Sequence, residues 1–345
     1  MNKGNVLPHL EIEIDHENND SIRRIIRHVR KDWNISSIKY KIFNGTTNTL
    51  IGCYINDNDM LLIRVYGKNS ELFLNRSKEI ENIMLLNQHG LAADILCTFL
   101  NGYCYKYVVG RVLIAPELSD HVLSTHCAKL LAKLHTLPIQ SNAGSELFPT
   151  IYRYLELIPK KFSDGKQQDR FLNSIPNLDD LRNEVDYFQK LIPTHSYRDV
   201  VFCHNDISCE NLVYNQEEDV LHAIDFEFSF PNYAGFDIGN LFDEFAGVSD
   251  VDYSLYPTPD FQKWWIKIYL SEYNRLKGNI ITITDEQIYQ FFVEVNHFAL
   301  ISHLFWGIWA IMQAHHSDIK FDFLGYAVTR LSEYFKKKDD VLSSS

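Results

Sequence analysis

Between residues 38 and 109 short runs alternate between apolar and polar positions, which is the period of a half-buried β-strand. These runs predict strands over 38–42, 49–56, 60–66, 95–100 and 103–109. A helix is predicted over 70–89, after the third strand, and Asn101-Gly102 indicates a type I′ turn between the last two strands. This part of the chain is therefore expected to form an antiparallel sheet of about five strands with one main helix.

From about residue 124 the apolar period becomes helical. Helices are predicted over 125–137, 151–157 and 181–191, and further helices are predicted to begin at Phe261, Asp285 and Phe323. Two segments depart from this pattern. Short β-like runs flank polar loops between 201 and 228, and the polar segment 160–176 is expected to be the least structured.

The composition is that of a globular chain, with 46% hydrophobic and 23% charged residues among 345. Acidic residues outnumber basic ones by 45 to 33, a net charge of −12, which disfavours a nucleic-acid-binding role. The six cysteines include no CxxC pair, so reduced thiols of a cytoplasmic protein are expected. No secretory signal is expected at the start of the chain. The most apolar stretch, 298–312, is shorter than the about 20 residues of a membrane span, so a buried helix is expected.

A polar motif follows a short apolar run in the second part of the chain. His204-Asn205-Asp206 begins it, Asn211 lies five residues after Asp206, and a predicted hairpin then ends on Asp225. This spacing matches the kinase catalytic loop HRDxxxxN, which is followed by a strand that ends on a metal-binding aspartate. A carboxylate can orient a hydroxyl nucleophile and take its proton, which suits Asp206. Mg²⁺ prefers hard oxygen ligands, which suits Asn211 and Asp225.

Each of these residues alone has a plainer explanation, because Asp and Asn are common in turns. For Asp206 by itself the turn interpretation is the better one. Three such residues at this spacing, on a loop, a hairpin and a strand end, favour phosphoryl transfer instead.

The strand-rich part offers a turn for the nucleotide side of such a reaction. The turn joins two predicted strands at the place where a kinase-like protein covers the ATP phosphates. It consists of Asn44, Gly45, Thr46, Thr47 and Asn48. With only one glycine, a plain hairpin turn is the alternative interpretation.

Arg64 lies inside the third predicted strand, where a protein kinase has its phosphate-binding lysine. A cation in an apolar strand is costly unless it is paired, and Glu79 on the following helix is a natural partner. The alternative is that Arg64 lies on an exposed strand face. Tyr107 and Val108 follow as part of a predicted hinge to the helical part.

The motif CHNDxxxxN, followed by IDFExxxxNxxxFDIGN, resembles the choline/ethanolamine kinases. The resemblance covers most of the chain, from NGTTNTLIGCY at 44–54 and LLIRVYG at 61–67 to GYAVTRLSEYF at 325–335. Within the family, several stretches are most similar to the ethanolamine kinases. These are DEFAGV at 243–248, VDY at 251–253, LYP at 255–257 and EVNHFALISHLFWGIWA at 294–310.

The resemblance implies an α+β fold of the bilobal, protein-kinase-like kind. A small antiparallel β lobe is expected over 1–107 and a larger, mainly α-helical lobe over 108–345. The implied activity is ATP- and Mg²⁺-dependent phosphorylation of an amino alcohol, with Asp206 as base and Asn211 and Asp225 as metal ligands.

The same resemblance implies positions for the nucleotide. It puts Asn48 and Arg64 near the ATP phosphates and the hinge around Tyr107 near the adenine. Arg64 is also a candidate catalytic residue, together with Asp206 and Asn211. Asp237 is expected to be a structural carboxylate that organises the catalytic loop.

Aromatic residues and one carboxylate in the last third of the chain, all after the Asp225 motif, form a candidate amine pocket. They are Phe228, Glu244, Trp306, Trp309, Phe323 and Tyr326. Ring faces attract a small ammonium and a carboxylate balances its charge, although a Trp/Phe stripe judged from spacing alone is more often core. The resemblance favours a pocket. Phe228 and Phe323 stand where the family commonly has tyrosine, which leaves the amine preference open.

The function implied by the resemblance is conversion of ethanolamine to phosphoethanolamine, the first step of CDP-ethanolamine phospholipid synthesis. The expected partners are ATP and the amino alcohol, with no nucleic acid and no membrane span; a homodimer is left open. A choline kinase or a dual choline/ethanolamine kinase is the alternative within the family, and an aminoglycoside phosphotransferase is less favoured. An inactive kinase-fold binding module would normally lack Asp206, Asn211 or Asp225. A protein kinase is disfavoured because Glu227 replaces the glycine of DFG.

Overall fold

The strand-rich region forms a six-stranded sheet in the computed structural model, which describes residues 7–15, 19–44, 47–56, 59–139, 144–192, 200–248 and 251–343. The strands are β1 (His9–Leu10), β2 (Lys39–Asn44), β3 (Asn48–Asn56), β4 (Asp59–Tyr66), β5 (Ile95–Phe99) and β6 (Gly102–Lys106). Their spatial order is β1-β5-β6-β4-β3-β2. The sequence pattern misses β1, which pairs in parallel with β5. A strand of two residues joins through its backbone and shows no alternation of side chains.

The chain divides into two units, and this sheet belongs to the first. That unit comprises Met1–Val109 with Ser317–Phe321. Its helices are α1 (Asn19–Val29) and α2 (Arg76–Gln88). The isoleucines of α1 recur at helical spacing, and Ile25 and Ile26 are completely buried in one core with Ile63 and Cys104 of the sheet. The helix predicted over 70–89 is α2, which begins later than predicted, at Arg76. A short 3₁₀ turn over Ser70–Leu72 precedes it.

The hairpin between β5 and β6 differs from the predicted type I′ turn. That turn type needs positive φ at both central residues, but among the described residues neither Asn101 nor Gly102 has one. Gly102 instead pairs with Phe99, and a Cβ atom there would lie 1.9 Å from the backbone oxygen of Arg64. The glycine is therefore needed for the close approach of β6 to β4 and not for the turn.

The second unit comprises Gly110–His316 with Asp322–Ser345 and is mainly helical. Its helices are α3 (His121–His135), α4 (Leu147–Leu157), α5 (Gly165–Ser174), α6 (Leu178–Leu191), α7 (Ala234–Asp243), α8 (Pro259–Leu276), α9 (Asp285–His316) and α10 (Phe323–Ser343). Its strands are β7 (Arg111–Val112), β8 (Val200–Cys203), β9 (Leu212–Asn215), β10 (Val220–Ala223) and β11 (Phe230–Tyr233). They form one sheet of β10, β9 and β7 and another of β11 and β8.

Helix α9 is the core helix of this unit and packs against α7 and α10. It has 32 residues and contains the apolar stretch 298–312. By length and composition α9 could cross a membrane, but 94% of its apolar window is buried within the fold, as expected for a core helix. Gly239 of α7 allows the close approach, because a Cβ atom there would lie 2.6 Å from the backbone nitrogen of Ala299.

The expectation that 160–176 is the least structured segment is wrong for its central part, which forms α5. The side chain of Asp164 caps this helix by accepting a hydrogen bond from the backbone N–H of Gln167 at 2.8 Å. No residue of α5 is buried, so it lacks the apolar stripe by which helices are recognised in a sequence.

We expect Gly102→Ala to lower the free energy of unfolding by about 1–3 kcal/mol, because the added methyl group collides with a backbone atom that cannot rotate away. Gly165→Ala is the matched control: nothing lies within 4 Å of the new atom, so this change should be neutral or stabilise α5 by up to about 1 kcal/mol. Chemical unfolding followed by circular dichroism measures both. Equal stability of the two variants would contradict the role assigned to Gly102.

Candidate active site

The backbone that follows β8 is fixed by one buried carboxylate. Asp237, on α7, accepts the backbone N–H of His204 at 2.8 Å and that of Asn205 at 2.5 Å. Nε2 of His135 lies 3.1 Å from the same carboxylate. Asp237 is completely buried, so these contacts satisfy a charge that would otherwise be costly to bury. They form the loop-organising arrangement expected for this residue.

Asn205 takes a conformation that asparagine tolerates better than most residues. Its φ is +67°, in the left-handed region. Its side-chain amide donates to the carbonyl of Phe228 at 2.9 Å, and its Oδ1 accepts from Nδ2 of Asn232 at 2.7 Å. These bonds hold the strained residue in place, and the turn it makes directs the next residue, Asp206, out of the strand.

His204 connects the loop to the segment that carries Asp225. Its Nε2 lies 2.9 Å from the carbonyl oxygen of Ile224, and its Nδ1 lies 3.3 Å from the backbone nitrogen of Asp206. The first contact needs a donor and the second an acceptor, so the ring is neutral with its proton on Nε2. Burial lowers the pKa of His204, which agrees with the neutral ring.

Three of the residues predicted for catalysis and metal binding, Asp206, Asn211 and Asp225, lie in this region. Asn211 donates from Nδ2 to the backbone oxygen of Asp206 at 2.8 Å and to its Oδ2 at 3.1 Å, which leaves the amide oxygen of Asn211 as the ligand atom. Asp225 has a φ of +65°, a second left-handed position. Such strain is common where a side chain must point into a site.

Carboxylates crowd around Asp206. Removal from water raises its pKa well above the usual range, and the charges of Asp225, Glu244 and Glu227 raise it further, while Asn211 acts in the opposite direction. An amide oxygen and several carboxylate oxygens form a donor set of the hard type that Mg²⁺ prefers, and the surplus of negative charge suits a divalent cation. The residues present therefore fit a magnesium ion.

A second group of potential metal ligands lies nearby but has other partners. It consists of His135, Cys203 and Asp237, whose ligand atoms lie within 4.8 Å of one another. His135 Nδ1 is hydrogen-bonded to the hydroxyl of Tyr269 at 2.8 Å, and Asp237 binds the loop backbone. This group holds the loop and is not needed as a metal centre.

In the first unit, the predicted pair of Arg64 and Glu79 is confirmed. Nη1 of Arg64 lies 3.4 Å from Oε1 of Glu79, and both side chains are buried. The hydroxyl of Tyr103 donates to the same oxygen at 2.9 Å. The interpretation of Arg64 as an exposed strand residue is therefore wrong.

Arg76 also belongs to this cluster and was missed by sequence reasoning. It donates to Oε2 of Glu79 and to Oδ1 of Asn48, both at 2.9 Å. Its spacing of three residues from Glu79, in the first turn of α2, is the sequence signal that could have identified it. Glu79 thus contacts two guanidiniums, and Arg76 also contacts Asn48. Guanidinium N–H groups are donors of the kind that phosphate oxygens accept.

The other predicted nucleotide residues are described in part. Asn48 donates from Nδ2 to Oγ1 of Thr47 at 3.0 Å. Gly45, Thr46 and the side chain of Asn44 lie outside the described residues. Tyr107 and Val108 follow β6 and are half-buried, and the backbone nitrogen of Tyr107 donates to the oxygen of Met60 at 3.4 Å.

The aromatic residues predicted for the amine pocket do come together. Ring centroids of Phe228 and Trp306 lie 5.2 Å apart, those of Trp306 and Trp309 lie 5.3 Å apart, and those of Trp309 and Phe323 lie 5.7 Å apart. All three pairs are edge-to-face, the favourable geometry for aromatic contacts. Tyr326 is half-buried. The guanidinium carbon of Arg330 lies over its ring, 5.8 Å from the ring centroid.

Asn240 on α7 ties this aromatic cluster to the loop. Its Oδ1 accepts from the indole nitrogen of Trp306 at 2.7 Å and from the hydroxyl of Ser302 at 2.9 Å. Its Nδ2 donates to the backbone oxygen of Ile207, next to Asp206, at 3.0 Å. Trp306 is therefore held in a fixed orientation by the same helix that carries Asp237.

Glu244 has a partner that the sequence did not reveal. Nη1 of Arg330 donates to its Oε1 at 2.7 Å, and Nη2 of Arg330 donates to Ser302 at 2.8 Å. Arg330 follows Tyr326 by four residues on α10, so the two side chains lie on the same helical face. This spacing is the sequence signal that could have placed Arg330 at the candidate site. Burial raises the pKa of Tyr326, and the charges of Glu244 and Asp206 contribute to the rise, so the tyrosine is neutral.

Comparison with known proteins identifies the family. The model of the choline/ethanolamine kinase family matches residues 40–335. Ethanolamine kinase 1 of Mus musculus is 39% identical over 344 residues, which cover 97% of this chain and 94% of the mouse protein.

Two solved structures resemble the fold closely. An ethanolamine kinase of Plasmodium vivax has a TM-score of 0.80 at 27% identity, and the match covers 92% of this chain and 89% of that one. A choline kinase of Cryptosporidium parvum has a TM-score of 0.77 at 26% identity, with coverage of 95% and 97%. The motifs around Asp206, the two-part α+β fold and these matches agree: the chain belongs to the choline/ethanolamine kinase family and has its protein-kinase-like fold.

Proposed function

We propose that this protein is a cytoplasmic enzyme that transfers the γ-phosphoryl group of ATP to the hydroxyl of ethanolamine. The observation that carries the proposal is a chain of hydrogen bonds that links the loop of Asp206 to Glu244. Asn240 donates to the carbonyl of Ile207, next to Asp206, and accepts from the hydroxyl of Ser302. Ser302 in turn accepts from Arg330, which donates to Glu244. Ethanolamine carries its hydroxyl and its ammonium on adjacent carbons, so it needs a base and a counter-charge close together. Relatives that this chain matches over nearly their full length are named ethanolamine kinase or probable ethanolamine kinase.

Asp206 is the proposed base. An ionised carboxylate accepts a hydrogen bond from a hydroxyl group and can take its proton during the transfer. The hydroxyl proton of the substrate passes to the carboxylate of Asp206 as the hydroxyl oxygen bonds to the γ-phosphorus. The bond between the γ-phosphorus and the bridging oxygen of ATP breaks in the same step, and ADP leaves. The hydrogen bond from Asn211 keeps the carboxylate in one orientation during this step.

Asn211 and Asp225 are the proposed ligands of Mg²⁺. When bound, the ion would neutralise charge on the phosphate oxygens in the transition state. The amide oxygen of Asn211 is the atom left for this role, since its nitrogen is bonded to Asp206. The left-handed backbone of Asp225 gives its carboxylate a fixed direction.

We assign the ATP phosphates to Asn48 and Arg64, with Arg76 beside them, and the adenine to the segment of Tyr107 and Val108. Support for the phosphate side comes from the two guanidiniums that Glu79 holds beside Asn48, because guanidinium N–H groups bind phosphate oxygens well. Asn44, Gly45, Thr46 and Thr47 stay a prediction as the loop that covers the phosphates.

Ethanolamine is favoured over choline because its primary ammonium donates hydrogen bonds. Glu244 can accept such a bond, whereas the trimethylammonium of choline donates none and depends on ring faces. Choline is the second candidate because Phe228, Trp306, Trp309 and Phe323 form an aromatic surface that would also suit it. The inactive binding module is less well supported, since Asp206, Asn211 and Asp225 are all present.

A reducing compartment is supported by the cysteines. All six are described, and all are buried free thiols. A cytoplasmic location would keep them in this state.

The substrate assignment is tested by measuring ATP consumption with ethanolamine and choline side by side. We expect kcat/KM for ethanolamine to exceed that for choline by about tenfold or more, the gain from a charge-assisted hydrogen bond of roughly 1.5–3 kcal/mol. Equal or better turnover of choline would refute the preference. Lack of activity with both substrates would favour the binding module.

Replacing the base tests its role directly. Asp206→Asn keeps the size of the side chain but cannot take the proton, so kcat should fall by roughly 100-fold or more. The affinity for ATP, measured by calorimetry, should stay within about threefold. Glu210→Gln is the control, because it removes an exposed carboxylate from the same loop and should leave kcat unchanged. Turnover by Asp206→Asn within tenfold of the parent rate would exclude this residue as the base.

Asp237→Asn should disturb the loop, although Asp237 itself does not contact the substrate. One of the two buried backbone N–H groups loses its charged acceptor, so the free energy of unfolding should fall by about 1–3 kcal/mol. The fold-decrease in kcat should be larger than the fold-change in the KM for either substrate. Asp219→Asn is the control, since it makes the same substitution at a side chain that is 65% exposed. Similar losses in both variants would argue against a special role for Asp237.

A further inference from the structure

The ion pairs that include Glu244 contain one more negative than positive charge. Arg330 donates to Glu244 at 2.7 Å, and its Nη2 lies 3.5 Å from Oδ2 of Asp243. All three residues are buried, with exposures of 5% or less. Two carboxylates on one guanidinium leave a net charge of −1 in a region that water screens poorly.

No described neighbour cancels this charge from within the fold. Nε2 of His303 lies 3.2 Å from Oδ1 of Asp243, but burial lowers the pKa of His303, so its ring is neutral at pH 7. Lys337 lies 3.2 Å from Glu333 and balances it. Lys336 also contacts Glu333, but its side chain is 72% exposed and its charge is screened by water.

The carboxylate of Asp243 is unusual for a buried group. Neither of its oxygens accepts a hydrogen bond from a described residue, and Arg330 and His303 contact it only as charged or polar neighbours. Its effect on Glu244 is electrostatic: burial raises the pKa of Glu244, Arg330 opposes the rise, and the charge of Asp243 adds to it. A buried carboxylate this poorly hydrogen-bonded costs stability, so a functional reason for it is to be expected.

We propose that Asp243 is a positioning residue that keeps this group negatively charged, so that the ammonium of the substrate supplies the missing cation. The inference rests on the proposed function. Without Asp243, Arg330 would neutralise Glu244, and an ammonium would meet an ion pair of no net charge. With Asp243, the ammonium completes a group of two carboxylates and two cations. Asp243 acts through Arg330 and does not touch the substrate.

The surroundings of Asp243 allow a variant that keeps its charge. Asp243 and His303 line a cavity of about 240 Å³, whose other lining residues include Tyr256, Asn296 and Lys337. An additional methylene group can be accommodated there. Asp243→Glu therefore preserves the charge, whereas Asp243→Asn preserves the shape and removes the charge.

Steady-state kinetics with ethanolamine and ATP varied in turn test the proposal. Asp243→Asn should raise the KM for ethanolamine by roughly tenfold or more, since tenfold is the effect of one unit charge about 12 Å away in a medium of effective dielectric about 20, and a shorter distance gives a larger effect. The KM for ATP and kcat should change by less than about threefold. Asp243→Glu should stay within about threefold of the parent enzyme for all three quantities. An unchanged KM for ethanolamine in Asp243→Asn would overturn the proposal, as would an equal loss in both variants, because the cause would then be packing.

Thermal unfolding gives a readout that does not depend on turnover. Ethanolamine hydrochloride should raise the Tm of the parent enzyme and of Asp243→Glu, and should raise that of Asp243→Asn distinctly less. Equal increases in all three proteins would overturn the proposal. If the parent enzyme phosphorylates choline and not ethanolamine, the proposed substrate is wrong. The charge argument is then tested with choline chloride, which carries the same single positive charge.

Discussion

The buried carboxylate of Asp237 is the contact on which the rest of the site depends. Two backbone N–H groups of the loop after β8 have no water to bond, and Asp237 accepts both. This fixes His204 and the left-handed Asn205, and the position of Asp206 follows from them. The strain at Asn205 persists because hydrogen bonds from several directions hold it, as is usual at functional sites.

Helix α7 also positions other residues of the candidate site along one of its faces. Asp237, Asn240 and Asp243 follow one another at intervals of three residues, and Glu244 comes directly after the helix. Asp237 holds the loop, Asn240 holds Trp306 and the loop carbonyl of Ile207, and the two acidic residues hold Arg330. The contact at Gly239 lets α7 lie against α9 closely enough for these bonds to form. A single helix thus relates the proposed base to the proposed amine pocket.

Contacts between residues that are close in the sequence could be predicted from it, whereas contacts between distant residues could not. The spacing of Asp206, Asn211 and Asp225 is local, and the pair of Arg64 and Glu79 follows from the cost of an unpaired cation in an apolar strand. The bond of Arg330 to Glu244 spans 86 residues and has no periodic signal. Strand β1 and helix α5 escaped prediction for a different reason, since neither shows an alternating or helical apolar pattern.

The proposed amine pocket carries an imbalance of charge, and this has a physical consequence. Two carboxylates, those of Asp243 and Glu244, share the guanidinium of Arg330. A protein selected for stability alone would balance this group, because an unbalanced buried charge is costly. The proposed ammonium ligand would remove the imbalance. The stability given up by the free protein would then be recovered on binding, so that the affinity of the proposed pocket for an ammonium would follow from the imbalance itself.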